Sequence, residues 1–338
     1  MFIVNQTTGK HVSKQDQLLE LLADGGVHSG EALAARLGVS RAAVWKQLQR
    51  LGELGLEISA RHGQGYRLSK PLELLDVDLL RARLGDELCR HIAAVEIYRS
   101  IDSTNRYLME VPPDSLATPG RLCLAEHQSA GRGRRGRRWQ SPFGASIYLS
   151  LRWQFAETPA QLPALALAAG VAVAQVLEAV GLEAVGLKWP NDLYWQGRKL
   201  GGILLEMRGE AGGASEVVIG LGLNVSMPDS AGREIDQLWV DLDQALGPAR
   251  PHRAELAADL AGALCRVALR FSREGFAAFI ADYEQRDILA GHEVRLEQSG
   301  RILQGTALGI DADGALRLQV DGEARRVVSG DVSLRRMP

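Results

Sequence analysis

Nine consecutive residues, Gly131-Arg132-Gly133-Arg134-Arg135-Gly136-Arg137-Arg138-Trp139, hold five arginines and three glycines ahead of a tryptophan. A strand-like run, Arg121–Ala125, precedes them. After Gln140-Ser141-Pro142-Phe143-Gly144 a second apolar run, Ile147–Trp153, reads as another strand. The glycine spacing fits G-x-G-x-x-G, but a dinucleotide fingerprint must open a helix after its strand. Here the chain returns to a strand, so that fold is excluded. What remains is a strand–loop–strand unit. Its glycines let the backbone close on a ligand, and its arginines offer fixed donor forks to phosphate or carboxylate. A basic run can also be a nucleic-acid patch or a localisation signal. The absence of lysine and the regular glycines suit a shaped anion pocket better.

The chain has 338 residues, 46% apolar and 24% charged, enough for two or three globular domains. Its net charge is −2, so it has no global field for nucleic acid or membrane. The charge is uneven: residues 1–70 carry nine Lys/Arg and six Asp/Glu, +3, which leaves −5 for the remainder. DNA contact is therefore expected of the first module alone. Cys89, Cys123 and Cys265 offer neither a disulfide framework nor a metal pair. Met1–Val12 is too polar for a signal peptide. Leu162–Ala174 is too short to span a bilayer and contains Pro163, so it reads as a buried core helix. A reducing cytoplasm is expected, with no membrane partner.

Helices are expected at Asp16–Ala23, Gly30–Leu37 and Arg41–Leu54, with Ser29 and Ser40 as caps and Gly38-Val39 as the turn. Val44, Leu48 and Leu51 face inward, which leaves Arg41, Ala42, Trp45, Lys46 and Gln49 on the exposed face. Leu56–Arg61 and Tyr66–Ser69 form a hairpin around His62-Gly63-Gln64-Gly65. The pattern is a winged helix-turn-helix whose third helix would enter the major groove, with Arg61 and Arg67 on phosphate.

After Lys70-Pro71 an α/β region follows. Strands are expected at Ala94–Arg99, Arg121–Ala125, Ile147–Trp153, Ala184–Lys188, Asp192–Trp195, Lys199–Arg208 and Glu216–Val225. Helices are expected near Val77–Leu84, Thr104–Glu110, Pro163–Val180 and Arg253–Gly275. From Gly291, short alternating runs broken by Ser299-Gly300, Asp313-Gly314 and Asp321-Gly322 read as a small β-barrel. The expected class is α+β multidomain. It comprises a winged helix-turn-helix over 1–70, a central α/β domain with a mixed sheet over 71–288, and an SH3-like β-barrel over 289–338.

Lys188-Trp189-Pro190-Asn191-Asp192 places a lysine at a strand end, either as a point charge for phosphate or in a local salt bridge. Asn191 and Asp192 offer oxygens suited to Mg²⁺ but also to an ordinary turn. Gly201-Gly202, Gly220 and Gly222 sit in strands, where a ligand or another layer approaches closely. Asp102-Ser103-Thr104-Asn105 joins a strand to a helix, where capping alone would also explain it. No Ser-His-Asp or Cys-His pair and no Walker loop is readable. The residues describe anion binding in which a substrate carboxylate attacks a phosphate.

Taken together, the arginine-glycine loop, Lys188–Asp192 with Leu193-Tyr194, Arg198–Leu204, Gly220–Val225 and Asp102–Asn105 resemble the biotin protein ligases. With the leading helix-turn-helix, the chain is similar to the bifunctional type, ligase and biotin-operon repressor, from about residue 15 onward. The resemblance implies that biotin and MgATP give biotinyl-5′-AMP. It further implies transfer to a lysine of biotin carboxyl carrier protein, operator DNA of biotin biosynthesis genes as a target, the adenylate as corepressor, and an adenylate-bound homodimer. It assigns Ser103, Thr104, Asn105, Gln128, Gly131, Arg132, Gly133, Arg134, Trp139, Lys188, Gly202 and Leu204 to biotin. Arg132, Arg134, Arg135, Lys188, Asn191, Asn224 and Trp239 fall to the nucleotide, and Lys188, Arg132 and Arg134 to catalysis. The adenine-side segment Met227–Trp239 is unusually polar over Pro228–Arg233 for a loop ordered by an adenylate. Two other classes stay open: a lipoate-type ligase, and a ligand-sensing transcription factor without catalysis.

Overall fold

The computed structural model describes residues 2–4, 13–61, 64–112, 118–156, 159, 161–209, 214–298 and 300–334. A first strand, β1 (Phe2–Val4), lies at the edge of the central sheet. Three helices follow: α1 (Lys14–Leu22), α2 (Gly30–Leu37) and α3 (Arg41–Glu53). The expected caps are present: Ser29 Oγ accepts from Ala32 N, and Ser40 Oγ from Ala43 N. Gly38 ends α2 at φ +63°, a left-handed value that costs glycine nothing. Strands β2 (Ile58–Arg61) and β3 (Gly65–Leu68) pair antiparallel as the wing, while His62-Gly63 at its tip lies outside the described residues. Leu18, Leu22, Leu33, Val44, Leu48 and Leu51 close a core belonging to this module.

The body continues with α4 (Val77–Cys89, kinked at Gly85), β4 (Ile92–Ser100), α5 (Thr104–Glu110), β5 (Gly120–Ala125) and β6 (Ser146–Phe155). Next come α6 (Leu165–Ala179), β7 (Gly186–Lys188), β8 (Asp192–Trp195), β9 (Arg198–Gly209) and β10 (Ser215–Asn224). Short helices α7 (Asp229–Gly232) and α8 (Leu242–Leu246) precede α9 (Arg253–Glu274) and α10 (Ile280–Glu284). The eight strands run β1-β4-β5-β6-β10-β9-β8-β7. Only the β4–β5 pair is parallel among them, so the sheet is mixed as expected.

Alternation along the central strands assigns the two faces of the sheet. Leu122, Leu124, Leu149, Leu151, Ile219 and Leu221 join the main core, which α4, α6 and α9 cover. Cys123, Ser150, Val218, Gly220 and Gly222 fall on the opposite face, against α5. The apolar stretch Leu162–Ala179 has a mean hydropathy of 1.7 but is 72% buried in the molecule, as a core helix would be.

The expected C-terminal barrel does not form. Strands β11 (Glu293–Gln298), β12 (Arg301–Ile310), β13 (Leu316–Val320), β14 (Glu323–Val327) and β15 (Asp331–Leu334) make an open antiparallel sheet. Its order is β14-β13-β12-β11-β15, and the two edge strands do not pair. The physical reason lies in what covers its apolar face. Val294, Leu296, Leu316 and Leu318 belong to the main core of the body, and Gly314 packs on Ala164 and Leu167. A sheet whose one apolar face is already covered need not close on itself.

The N-terminal module is joined to the body by buried groups. Arg99 of β4 pairs with Asp16 at 3.6 Å and Glu20 at 3.2 Å on α1, and with Glu126 at 3.3 Å. Glu126, fully buried, also pairs with Arg253 of α9 and accepts from Leu75 N at 2.7 Å. Phe143 of the body lies in the apolar core of the module.

Candidate functional site

A cavity of about 650 Å³ opens on the α5 face of the central sheet. Glycines make its floor. A Cβ at Gly220 would overlap Asn105, and one at Gly222 would come within 2.6 Å of the Trp139 ring. Gly202 lies under Asp192 and Lys199. These strand glycines admit the side chains of other elements onto the sheet, the close approach their positions suggested.

At one end, α5 and the strand ends build a polar network. Thr104 N and Oγ1 donate to Gln128 Oε1 at 2.9 and 3.2 Å, and Gln128 Nε2 donates to Ser141 Oγ at 3.2 Å. Ser150 Oγ lies 2.7 Å from Thr104 Oγ1 and 2.6 Å from Asn105 Oδ1. Ser103 caps α5 and borders the same end. The network is buried and mutually satisfied, so it presents fixed donors and acceptors rather than adaptable ones.

The arginine-glycine loop forms one wall. It closes on itself through Gly133 N to Arg137 O at 2.7 Å and Trp139 N to Gly131 O at 2.9 Å. Arg135 at φ +54° and Gly136 at φ +73° make its turn, and a left-handed arginine there is strained backbone. Arg134 Nη1 donates to Asn191 Oδ1 at 3.3 Å, and burial pulls its guanidinium below the ordinary arginine value. Arg132 meets Glu206 at 3.2 Å, while Arg135 and Arg137 meet Asp331 at 3.1 and 2.8 Å.

Trp239 makes the far wall. Its ring rests on Gly232, and its Nε1 donates to Gly232 O at 3.1 Å. Lys199 N to Leu238 O and Val240 N to Lys199 O, both 2.9 Å, tie this segment to β9. The polar stretch Pro228–Arg233 contains α7, and Glu234 accepts from Gln140 Nε2 at 2.8 Å. Asn224 Nδ2 donates to Val240 O at 3.1 Å.

Of the expected small-molecule residues, Ser103, Thr104, Asn105 and Gln128 line the cavity, as do Arg132, Gly133, Arg134 and Trp139. Asn191, Gly202, Leu204, Asn224 and Trp239 line it too. Gly131 lies just behind, packed on Ser141 and the Trp139 carbonyl, and Arg135 is turned toward Asp331. Lys188 stands off the cavity wall. Its Nζ donates to Tyr194 OH at 3.3 Å and lies 5.0 Å from that ring's centre. Burial lowers its pKa, partly opposed by Asp192. The lysine in the wall is Lys199, 2.8 Å from Asp192 Oδ1 and 5.6 Å from the Trp139 ring.

Sequence reading missed Lys199, Ser150, Glu206 and Asp331. Ser150 was findable as a polar residue on alternate positions of an apolar strand, and Glu206 as the third of Gly202, Leu204 and Glu206. Asp331 arrives from the C-terminal sheet and carries no local signal. Among the described residues no group of three or more His, Cys, Asp or Glu is placed to hold a metal ion.

On the N-terminal module, Arg41, Ala42, Trp45, Lys46 and Gln49 are all exposed along α3, Trp45 at 55%. Arg61 is exposed on the wing and Arg67 half-buried.

Three family models match the chain: an HTH domain over residues 14–67, the biotin/lipoate A/B protein ligase family over 97–224, and the biotin protein ligase C-terminal domain over 290–335. The chain is 40% identical to the bifunctional ligase/repressor BirA of Salmonella typhimurium, across 94% of this chain and 96% of that protein. It is 39% identical to BirA of Escherichia coli over the same shares. Among solved structures it is similar to the biotin protein ligase from Aquifex aeolicus in complex with biotin and ATP. That match has a TM-score of 0.59 at 26% identity and covers 73% of this chain and all of that one.

Proposed function

This chain belongs to the family of bifunctional biotin ligase/repressors, and from that premise we propose how its residues perform both roles. The protein activates biotin with ATP to biotinyl-5′-AMP, transfers the biotinyl group to a protein lysine, and acts as a repressor. One observation carries the assignment of residues: a single cavity joins a fixed polar end to a wall of arginines, on a chain that also exposes a recognition helix.

Biotin binds with its ring at Thr104, Asn105 and Gln128 and its carboxylate toward the loop. A carboxylate oxygen attacks the α-phosphorus, the bond to pyrophosphate breaks, and a mixed anhydride forms. Arg132 and Arg134 on the cavity wall neutralise the charge on the reacting oxygens, where oriented cations stabilise the transition state most. Lys188, held behind the wall by Tyr194, takes the same role on the family resemblance and not on the cavity lining. Trp239 and Asn224 hold the adenine side. Mg²⁺ bound to the triphosphate would offset its charge, with Asn191 and Asp192 the wall residues that would help hold it. The donors here suit that arrangement, because Asn191 and Asp192 supply few protein oxygens and magnesium commonly relies on phosphates and water for the rest. In the second step the amine of a biotin carboxyl carrier protein attacks the acyl carbon. AMP leaves, the amine loses a proton, and an amide forms. Closure of the arginine loop keeps the anhydride from water until then.

The helix-turn-helix presents Arg41, Ala42, Trp45, Lys46 and Gln49 to base edges and Arg61 and Arg67 to phosphate. One module reads one half-site, so the operator of biotin biosynthesis genes is bound by a two-fold dimer that the adenylate promotes. We place the domain boundaries at 70/71 and 288/289. Biotin-dependent exchange of label between pyrophosphate and ATP tests the ligase assignment. Absence of exchange, or exchange driven equally by lipoate, would refute it.

A further inference from the structure

Glu206 has no place in the roles above, yet it touches two of the residues that carry them. Alternation along β9 sets Gly202, Leu204 and Glu206 in a row on the cavity face. The two carboxylate oxygens go to different partners: Oε1 lies 3.2 Å from Arg132 Nη1, and Oε2 accepts from Asn105 Nδ2 at 3.0 Å.

The second contact decides how Asn105 meets a ligand. An amide side chain has two donor protons and an acceptor oxygen with two lone pairs. Asn105 Nδ2 donates to Leu204 O at 3.2 Å and to Glu206, so both protons are engaged. Its Oδ1 accepts from Ser150 Oγ at 2.6 Å, which leaves one lone pair. The amide lies flat on Gly220, where no Cβ would fit. A ligand beside Asn105 must therefore donate. A cyclic urea with N–H groups meets that demand; a dithiolane or alkyl ring does not. The Glu206 carboxylate and the Leu204 carbonyl can only accept, so together they fix this orientation, whereas an amide in place of the carboxylate could turn to offer a proton and loosen it.

We propose that Glu206 is a positioning residue for biotin recognition. It holds Asn105 as an acceptor and tethers Arg132, and with it the loop, over the same pocket. This rests on the reading of the cavity as the biotin site.

The test is biotin-dependent pyrophosphate exchange by the full-length protein, with biotin and ATP titrated separately, for wild type, Glu206→Ala and Glu206→Gln. Glu206→Ala should raise the biotin KM about ten-fold or more, and by a clearly larger factor than it changes kcat or the ATP KM, which move only through the untethered Arg132. Glu206→Gln can still accept from Asn105 but has no charge for Arg132, so its biotin KM should rise only about two- to five-fold. A biotin KM unchanged in Glu206→Ala, or biotin and ATP KM values rising together, would overturn the proposal. If Glu206→Ala does not fold, an unchanged biotin KM in Glu206→Gln overturns it. A wild-type protein without biotin-dependent exchange would sink the functional reading itself, and this inference with it.

Discussion

Lys188 sits at the end of β7, where burial strips water from its amine and lowers its pKa below the ordinary lysine value of 10.5. The sign of the consequence follows. A folded pKa below the unfolded one means the charged amine works against the fold at neutral pH, and this penalty fades as pH rises through the lowered value toward the ordinary one. Lys188→Ala should therefore keep or raise the thermal midpoint while removing about 2–4 kcal/mol of transition-state stabilisation. The measurement is calorimetry beside pyrophosphate exchange; exchange within a few-fold of wild type would remove Lys188 from the chemistry. In the wild type, adenylation should decline with rising pH on the acid side of ordinary lysine titration, as the amine loses its charge. Lys188→Arg stays protonated throughout, so any activity it retains should lack that alkaline limb. At this scale the sequence was informative where a residue type has few alternative uses, as with five arginines in a glycine loop. It was silent on Asp331, because the pairing with Arg135 and Arg137 exists only once the C-terminal sheet has folded back.

At the scale of elements, the cavity exists because two neighbouring strands, β9 and β10, present glycine on one face while their alternate residues fill the core on the other. Gly220→Ala should displace Asn105 and cost biotin binding with little loss of fold, since the added methyl meets a side chain rather than the core. Calorimetric titration with biotin checks it; unaltered affinity would mean that Asn105 is not part of the pocket. Strand and helix positions were legible from periodicity and caps, which are local. The difference at the C-terminus came from a non-local cause. Alternation in Val294, Leu296, Leu316 and Leu318 says that one face is buried, but not by what. The covering surface is the body itself, so the sheet stays open.

Across the whole molecule, the DNA-binding module and the ligase body share the ionic chain Asp16–Arg99–Glu126–Arg253. Glu126→Ala leaves two buried guanidinium groups short of a partner, and breaking such a buried pair costs about 3–5 kcal/mol. A thermal midpoint close to wild type would contradict the burial described here. The third helix was readable as a recognition element from Ser40 onward, but its attachment to the body was not. Arg99 and Phe143 lie far from the module in sequence and read there as ordinary strand and loop residues. The central claim is that this one cavity makes an adenylate from biotin and passes its acyl group to a lysine. The direct measurement is mass spectrometry of an apo carrier domain after incubation with the protein, MgATP, and equimolar biotin and lipoate. The account predicts one biotinyl addition on a single lysine, dependent on ATP and absent for lipoate. A carrier left unmodified, or one bearing the lipoyl group instead, would contradict it.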